Sequence, residues 1–399
     1  MAAQSEGFEP ARPIQIFADC VVLGLTAWGG FMALLAQAQQ RFAVRRRWLS
    51  EREFLDLIAL VTMLPGPQAV NAIAIVGHRV AGWAGFAAAL IGIVLPSFFI
   101  VLALWYGYAS LAGHPRILRA VAVGVLPPLA MIMGLAAFNQ AKKATPGTRE
   151  RLLAVAAAAL LLLVPAWAGP VWVLVAGAGV SLALWPAPKV AEPAGARALR
   201  PMELLLCIAP AGLAAFQFVP ALLPADIVAR AGLAFAGIST TLFGGGLVMV
   251  PLLEGLIVDQ LGWLDHAGFG AGLAASQLTP GPILGIATFT GMQIAGLAGA
   301  LSATVGVYLP TALIGVGVSG VAERVKGSRR FQHAMLGVRC AVVGLIAGAG
   351  VSLMLKLPLQ QLPWPCGLLA VCAWLVVWRL KQPPYVSVPV GVALAWLLL

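Results

Sequence analysis

The residues in this sequence with the means to do chemistry sit at breaks in oily stretches. "WLSEREFLDLIALVTMLPGPQAVNAIAIVG" runs from Trp48 to Gly77, and "WLDHAGFGAGLAASQLTPGPILGIATFTG" runs from Trp263 to Gly291. Both open on Trp-Leu, and both carry Pro-Gly-Pro seventeen residues after the Trp: Pro65, Gly66 and Pro67 in one, Pro280, Gly281 and Pro282 in the other. Pro removes a backbone donor and clashes with the preceding turn, and Gly takes conformations other residues avoid. Gly29-Gly30 and Gly244-Gly245 form a second pair of breaks. A half-helix that starts after a break presents free N–H groups and a partial positive charge, which suit an anion. Broken backbone in hydrocarbon costs several kcal/mol per unpaired group, so it survives only where protein buries it or water reaches it. One such break alone reads as a packing kink. Four that pair up predict a shared polar cavity near the membrane midplane.

Side chains beside the breaks extend this reading. Thr62, Asn71, Thr240, Thr241 and Thr279 offer hydrogen bonds to an oxyanion, although Thr and Asn also simply pack between membrane helices. Arg79 is either a substrate-facing charge or a snorkelling helix-end residue. Arg45, Arg46 and Arg47 either steer an anion towards the pore or mark topology at a membrane edge. Asp19, inside the first apolar segment, is either a proton-coupling acid or a residue near the headgroups. Other chemistries lack a seat. The five cysteines (Cys20, Cys207, Cys340, Cys366 and Cys372) lie in apolar stretches with no Cys-x-x-Cys pair. The histidines are isolated, and no His-Glu-x-x-His, Gly-x-Ser-x-Gly or Walker A pattern occurs. No metal and no cofactor are expected, and no ATP hydrolysis by this chain.

The elements that hold these residues are membrane segments. Of the 399 residues, 61% are hydrophobic and 10% charged, against about 25% charged in an ordinary soluble protein. Apolar runs long enough to cross a bilayer recur along the chain. The net charge of +11 therefore belongs to cytoplasmic loops rather than to a nucleic-acid surface. The polar N-terminus carries no removable signal peptide.

The chain repeats itself. At an offset of 215, Thr26, Gly29, Gly30, Trp48, Leu49, Phe54, Ala59 and the Pro-Gly-Pro meet identical residues. At 214, so do Gly77, Ala81, Gly82, Ala84, Gly85, Ala89, Gly92, Leu95 and Pro96. Each half holds six apolar segments, with 53–77 and 80–110 counted separately. A polar linker and one unpaired segment near 202–223 join the halves. The organisation reads as an N-terminal repeat over 1–186, a linker with one helix over 187–227 and a C-terminal repeat over 228–399. Arg41, Arg45, Arg46, Arg47 and Arg52 occupy one loop, while its counterpart carries Glu254, Asp259 and Asp265. The positive-inside rule places the two loops on opposite faces, so the repeats are inverted. All the Lys- and Arg-rich loops fall inside if the first two segments of each half enter and return without crossing. The fold class is an all-α polytopic membrane protein of two inverted repeats with broken, re-entrant helices and a linker helix.

"WGGFMALLAQAQQRFAVRRRWLSEREFLDLIALVTMLPGPQAVNAIAIVG" resembles the signature of the chromate ion transporter (CHR) family, long two-domain type, and "TTLFGGGLVMVPLLEGLIVDQLGWLDHAGF" with "LTPGP" resembles its second-half version. Trp28, Phe31 and Gln68 depart from the family's usual Phe, Pro and Glu. The resemblance implies a multi-pass bacterial inner-membrane protein that exports chromate, gives chromate resistance and has a link to sulfate, a dianion of the same tetrahedral shape. Together the readings predict a secondary transporter and not an enzyme. The N-terminus is cytoplasmic and the C-terminus periplasmic. The partners are an oxyanion and the bilayer, no nucleic acid, with a homodimer left open. A membrane enzyme or scaffold subunit acting on a lipid-linked or hydrophobic substrate is the alternative.

Overall fold

The computed structural model describes residues 11–28, 30–62, 64–111, 114–145, 147–163, 169–184, 225–241, 253–319, 329–355, 363–379 and 384–398. No strand occurs among them. The first repeat comprises α1 (Pro13–Thr26), α2 (Gly30–Gln39), α3 (Glu51–Val61), α4 (Gln68–Ser110), α5 (Pro115–Ala144), α6 (Thr148–Leu163) and α7 (Gly169–Leu184). The second comprises α8 (Ile227–Thr241), α9 (His266–Gln277), α10 (Ile286–Ser319), α11 (Arg329–Leu355), α12 (Pro363–Trp374) and α13 (Pro384–Leu398). The unpaired segment and most of the linker proposed for 187–227 lie outside the described residues.

Re-entry follows from length and from the breaks. With 14 residues, α1 spans about 21 Å and cannot cross a hydrocarbon core of about 30 Å. Its successor turns back. Gln37 of α2 donates to the Thr26 carbonyl (3.4 Å), and Arg41, in the π-helical turn Gln40–Arg45, reaches Asp19 in mid-α1. A second hairpin follows. Ser50 and Glu53 form a capping box at the start of α3: the Glu53 N–H donates to Ser50 Oγ (3.2 Å) and the Ser50 N–H donates to Glu53 Oε2 (2.8 Å). Those Ser50 bonds, against the opposing effect of partial burial and helped by the Arg79 charge, hold the Glu53 carboxyl below its ordinary pKa. Arg79 therefore stands beside the start of α3, and residues 68–80 run back alongside it.

The sequence reading separates 53–77 from 80–110; the structure puts the boundary at Ala81 (φ −139°) and Gly82 (φ 61°, ψ −151°). The chain folds back sharply there, and Gly77 lies against the Gly85 carbonyl with no room for a Cβ on either residue. The second arm, 83–110, is about 42 Å long and can cross. In α10 the same hinge recurs at Ala295 and Gly296, with Gly291 against Gly299. Three helices among the described residues are long and apolar enough to cross a membrane: Gln68–Ser110, Ile286–Ser319 and Ala334–Ser352. Trp83, Ile91, Phe99, Leu301 and Val305 face outwards on the long arms. Lipid, not water, suits such a surface.

The repeats pack alike and across each other. Gly92 lies on Phe17 as Gly306 lies on Gly232. Between repeats, Gly315 packs against Ile75 while Gly285 packs against Val101, close to Phe289, the equivalent of Ile75. Such reciprocal contacts are those of a twofold relation. Arg79 and its equivalent Gln293 reveal the axis. Arg79 stands at the Gly82 end of the long arm, whereas Gln293 accepts from Trp105 Nε1 (2.9 Å), about 34 Å further along the same helix. Equivalent points thus lie at opposite ends of one membrane-length helix, so the repeats are inverted. The halves are also interlocked. Gly344 of α11 packs on Ala154 and Ala157 of α6, Gly337 of α11 on Gly177 of α7, and Gly391 of α13 on Gly124 of α5. Small residues let these backbones approach closely.

Candidate functional site

Each Pro-Gly-Pro break lies against the opposite repeat. Gly66 has φ 96° and sits on the side chain of Thr311 in α10, whose hydroxyl pairs with Ser239 Oγ in α8 (3.1 Å). Gly281 has φ 86° and donates its N–H to the Ala27 carbonyl, at the end of α1 (2.8 Å). Both glycines are in the left-handed region that L side chains rarely adopt. The second break thus satisfies a carbonyl left over by the first break of the other repeat. Gly29, Gly244 and Gly245 lie outside the described residues. Pro67 precedes the helix that starts at Gln68, and Pro282 precedes a 3-10 turn, Ile283–Gly285, before α10. The first-turn amides of both half-helices face the breaks.

Two buried side chains in the helices that follow the breaks are incompletely satisfied. Asn71 is fully buried and donates from Nδ2 to the Pro65 carbonyl (3.0 Å), bracing the break from inside. Its Oδ1 has no hydrogen-bond partner among the described residues, and neither does Thr290 Oγ1. A buried polar atom without a partner is uncommon and marks a place where water or a ligand belongs. The threonines differ from expectation. Thr62 donates to the Ala59 carbonyl (2.9 Å), Thr240 to Gly237 (2.8 Å) and Thr279 to Ser276 (2.9 Å). Each hydroxyl spends its one proton on its own helix and offers only lone pairs. Thr241 ends α8. Ser239, Thr290 and Thr311 were not singled out from sequence; their only signal was a hydroxyl within an apolar run.

The charged residues form a separate group. Asp19 is buried, with its side chain 2% exposed, and is clamped by two arginines. Arg41 donates to Oδ1 from Nε (2.8 Å) and Nη2 (2.6 Å); Arg46 donates to Oδ2 from Nε (2.6 Å) and to Oδ1 from Nη2 (3.1 Å). Arg45 and Arg47 are exposed beside them. Arg79 is exposed at the helix end, about 18 Å from Pro67 along its helix and so away from the break. In the second repeat Glu254 meets His266 Nδ1 (3.1 Å). No group of three or more metal-binding side chains occurs among the described residues.

The family model for the chromate transporter matches residues 14–182 and again 229–397, the same two stretches that carry the paired breaks. A "Probable chromate transport protein" of Synechococcus elongatus is 29% identical over 364 residues, 90% of this chain and 90% of its own. A "Chromate transport protein" of Cupriavidus metallidurans is 27% identical over 369 residues (91% and 88%), and one of Pseudomonas aeruginosa is 28% identical over 351 residues (85% and 80%). No solved structure matches the chain significantly. With both repeats matched over most of the sequence, the chain belongs to the chromate transporter family.

Proposed function

We propose that this protein is a secondary transporter that moves chromate, or a tetrahedral oxyanion of like shape such as sulfate, outward across a bacterial inner membrane and so gives resistance to chromate. The observation that carries the reading is the coincidence of the doubled family match with two left-handed Pro-Gly-Pro breaks, each seated on the opposite repeat. A dianion has no cheap place in hydrocarbon, and half-helix amides supply several donors without adding net charge. Gly66, Gly281, the flanking prolines and Asn71 line the path in this reading. The arginine-bearing mouth faces the cytoplasm, with the N-terminus on that side and the C-terminus in the periplasm. No cofactor takes part.

The test is uptake of chromate and of sulfate into everted vesicles and into proteoliposomes of the purified protein. Saturable chromate movement is expected. A folded, inserted protein that moves neither anion sinks the substrate assignment. Topology is tested by labelling single cysteines placed at Arg46 and Asp259, which should react from opposite sides of the membrane; reaction from the same side refutes the orientation.

A further inference from the structure

The clamp on Asp19 is one-sided. Its three residues correspond to Ala234, Leu256 and Leu261 of the second repeat, although the backbone there is the same. Both π-helical turns close with matching bonds: Arg46 N–H to Arg41 carbonyl (2.9 Å) and Trp48 N–H to Phe42 carbonyl (2.9 Å) in one, Leu261 to Leu256 (2.9 Å) and Trp263 to Ile257 (2.8 Å) in the other. The turn therefore forms without an Arg–Asp clamp at these three positions, and the cluster is not needed to make it. A second feature points the same way. Arg47 has φ 50°, the single non-glycine with positive φ among the described residues, and its counterpart is Gly262 (φ 60°). An arginine held where the fold accepts glycine is strained, and such strain persists mainly at functional sites.

The charges do not balance. One carboxylate faces two guanidinium groups, which leaves one positive charge over, and Arg45 and Arg47 add to it. Arg41 and Arg46 stay 24% and 46% exposed while Asp19 is 2% exposed, so the guanidinium groups can be reached from the mouth and the carboxylate cannot. Two arginine forks aimed at one point are the donor set for a tetrahedral dianion.

We propose that Arg41 and Arg46, with Arg47 at their side, form an entry site for a tetrahedral dianion, and that Asp19 is its built-in competitor. The carboxylate occupies the forks when the site is empty. An arriving dianion brings two charges against one and takes over N–H groups from Asp19, which loosens the tie between α1 and the turn after α2. The equivalent positions of the other repeat, Ala234, Leu256 and Leu261, offer no such site, so capture is tight on one face only. This rests on the oxyanion reading above, but its test does not need transport.

The experiment is equilibrium titration of the purified full-length protein with sulfate and with chromate, with chloride as the monovalent control. Asp19→Asn removes the competitor and keeps the shape; it should bind the dianions about ten-fold more tightly than the natural protein. Asp19→Asn/Arg41→Gln/Arg46→Gln removes the whole cluster without leaving a lone charge; it should lose this binding. Chloride binding should move in neither. Unchanged or weaker dianion binding by a folded Asp19→Asn protein overturns the proposal, as that is the behaviour of a simple structural brace. Should Asp19→Asn not fold, full dianion affinity in the triple variant overturns it equally. Absence of chromate transport alongside tightened binding in Asp19→Asn would count against the proposed function and leave this site standing.

Discussion

The two re-entrant mouths have one backbone and two chemistries. In the first repeat, α1 and the turn after α2 are tied by Asp19, Arg41 and Arg46; in the second, Ala234, Leu256 and Leu261 stand at the same points, Ala234 and Leu256 buried. What the mouths share are the features that fix chain direction: a π-helical turn, the left-handed position 47 or 262, a Ser or Asp cap at 50 or 265, a left-handed glycine at 66 or 281 and an Ala-Gly hinge. What they do not share is charge. Duplication preserves shape, because hairpins of both repeats must fit the same long helices. Charge is free to diverge, because the two mouths open on different faces.

The largest expected effects fall on what is shared. Gly66→Leu and Gly281→Leu should each abolish chromate uptake while the protein still inserts. A left-handed Leu costs about 1–2 kcal/mol, and its side chain would run into Thr311 in one case and the Gly24 carbonyl, 3.0 Å from a Cβ, in the other. Transport and membrane yield should be measured together. If only one variant is inactive, the breaks are not equivalent.

Smaller effects should separate the mouths. Ala234→Asp puts a carboxylate at a fully buried position whose neighbours at 256 and 261 are leucines. An unpaired buried charge costs about 3–5 kcal/mol, so a large fall in thermal stability is expected in detergent. Asp19→Asn leaves two partly exposed arginines instead and should cost less, about 1–3 kcal/mol. Equal losses would mean that the mouths differ less in polarity than their residues suggest.

The caps should behave alike. Ser50→Ala removes an acceptor for the Glu53 N–H, and Asp265→Ala removes one for the Gly268 N–H (2.7 Å). Each should cost about 1 kcal/mol in unfolding measurements. The smallest effect is expected at the left-handed turn. Arg47→Gly should stabilise the protein by up to about 1 kcal/mol while weakening dianion binding. Gly262→Arg should destabilise it by a similar amount and leave binding at the first mouth alone.

Much of the architecture could be read from the chain because it rests on local demands. Pro-Gly-Pro imposes a backbone conformation on its own, so the repeat, the Pro-Gly-Pro breaks and the inversion are visible as spacing and loop charge, whereas the Ala-Gly hinge reads only as a repeated pair. Partners were not visible. Asp19 and Arg46 are 27 residues apart, and nothing in the spacing says that a hairpin will bring them to 2.6 Å. From sequence, Asp19 therefore reads as a proton-coupling acid or a residue near the headgroups, and Arg46 as a steering charge or a topology signal, each alone rather than as a pair. Thr62 and Thr279 read from sequence as hydrogen-bonding partners of an oxyanion or as packing residues, and in the structure each hydroxyl donates to a carbonyl three residues back. Arg79 reads from sequence as a substrate-facing charge or a snorkelling helix-end residue, and an intact helix carries it to an exposed position about 18 Å from Pro67.

By itself, then, the sequence determined a membrane chain of two inverted repeats with paired helix breaks, since hydrophobic length, glycine, proline and loop charge act within a few residues of where they stand. Only the tertiary structure decided that the halves interlock through α5, α6, α7, α11 and α13, that each break leans on the opposite repeat, and which buried polar atoms keep a partner. Those outcomes depend on which helix faces meet across the molecule, and close backbone contacts such as Gly177 with Gly337 are chosen by global fit rather than by any neighbouring residue.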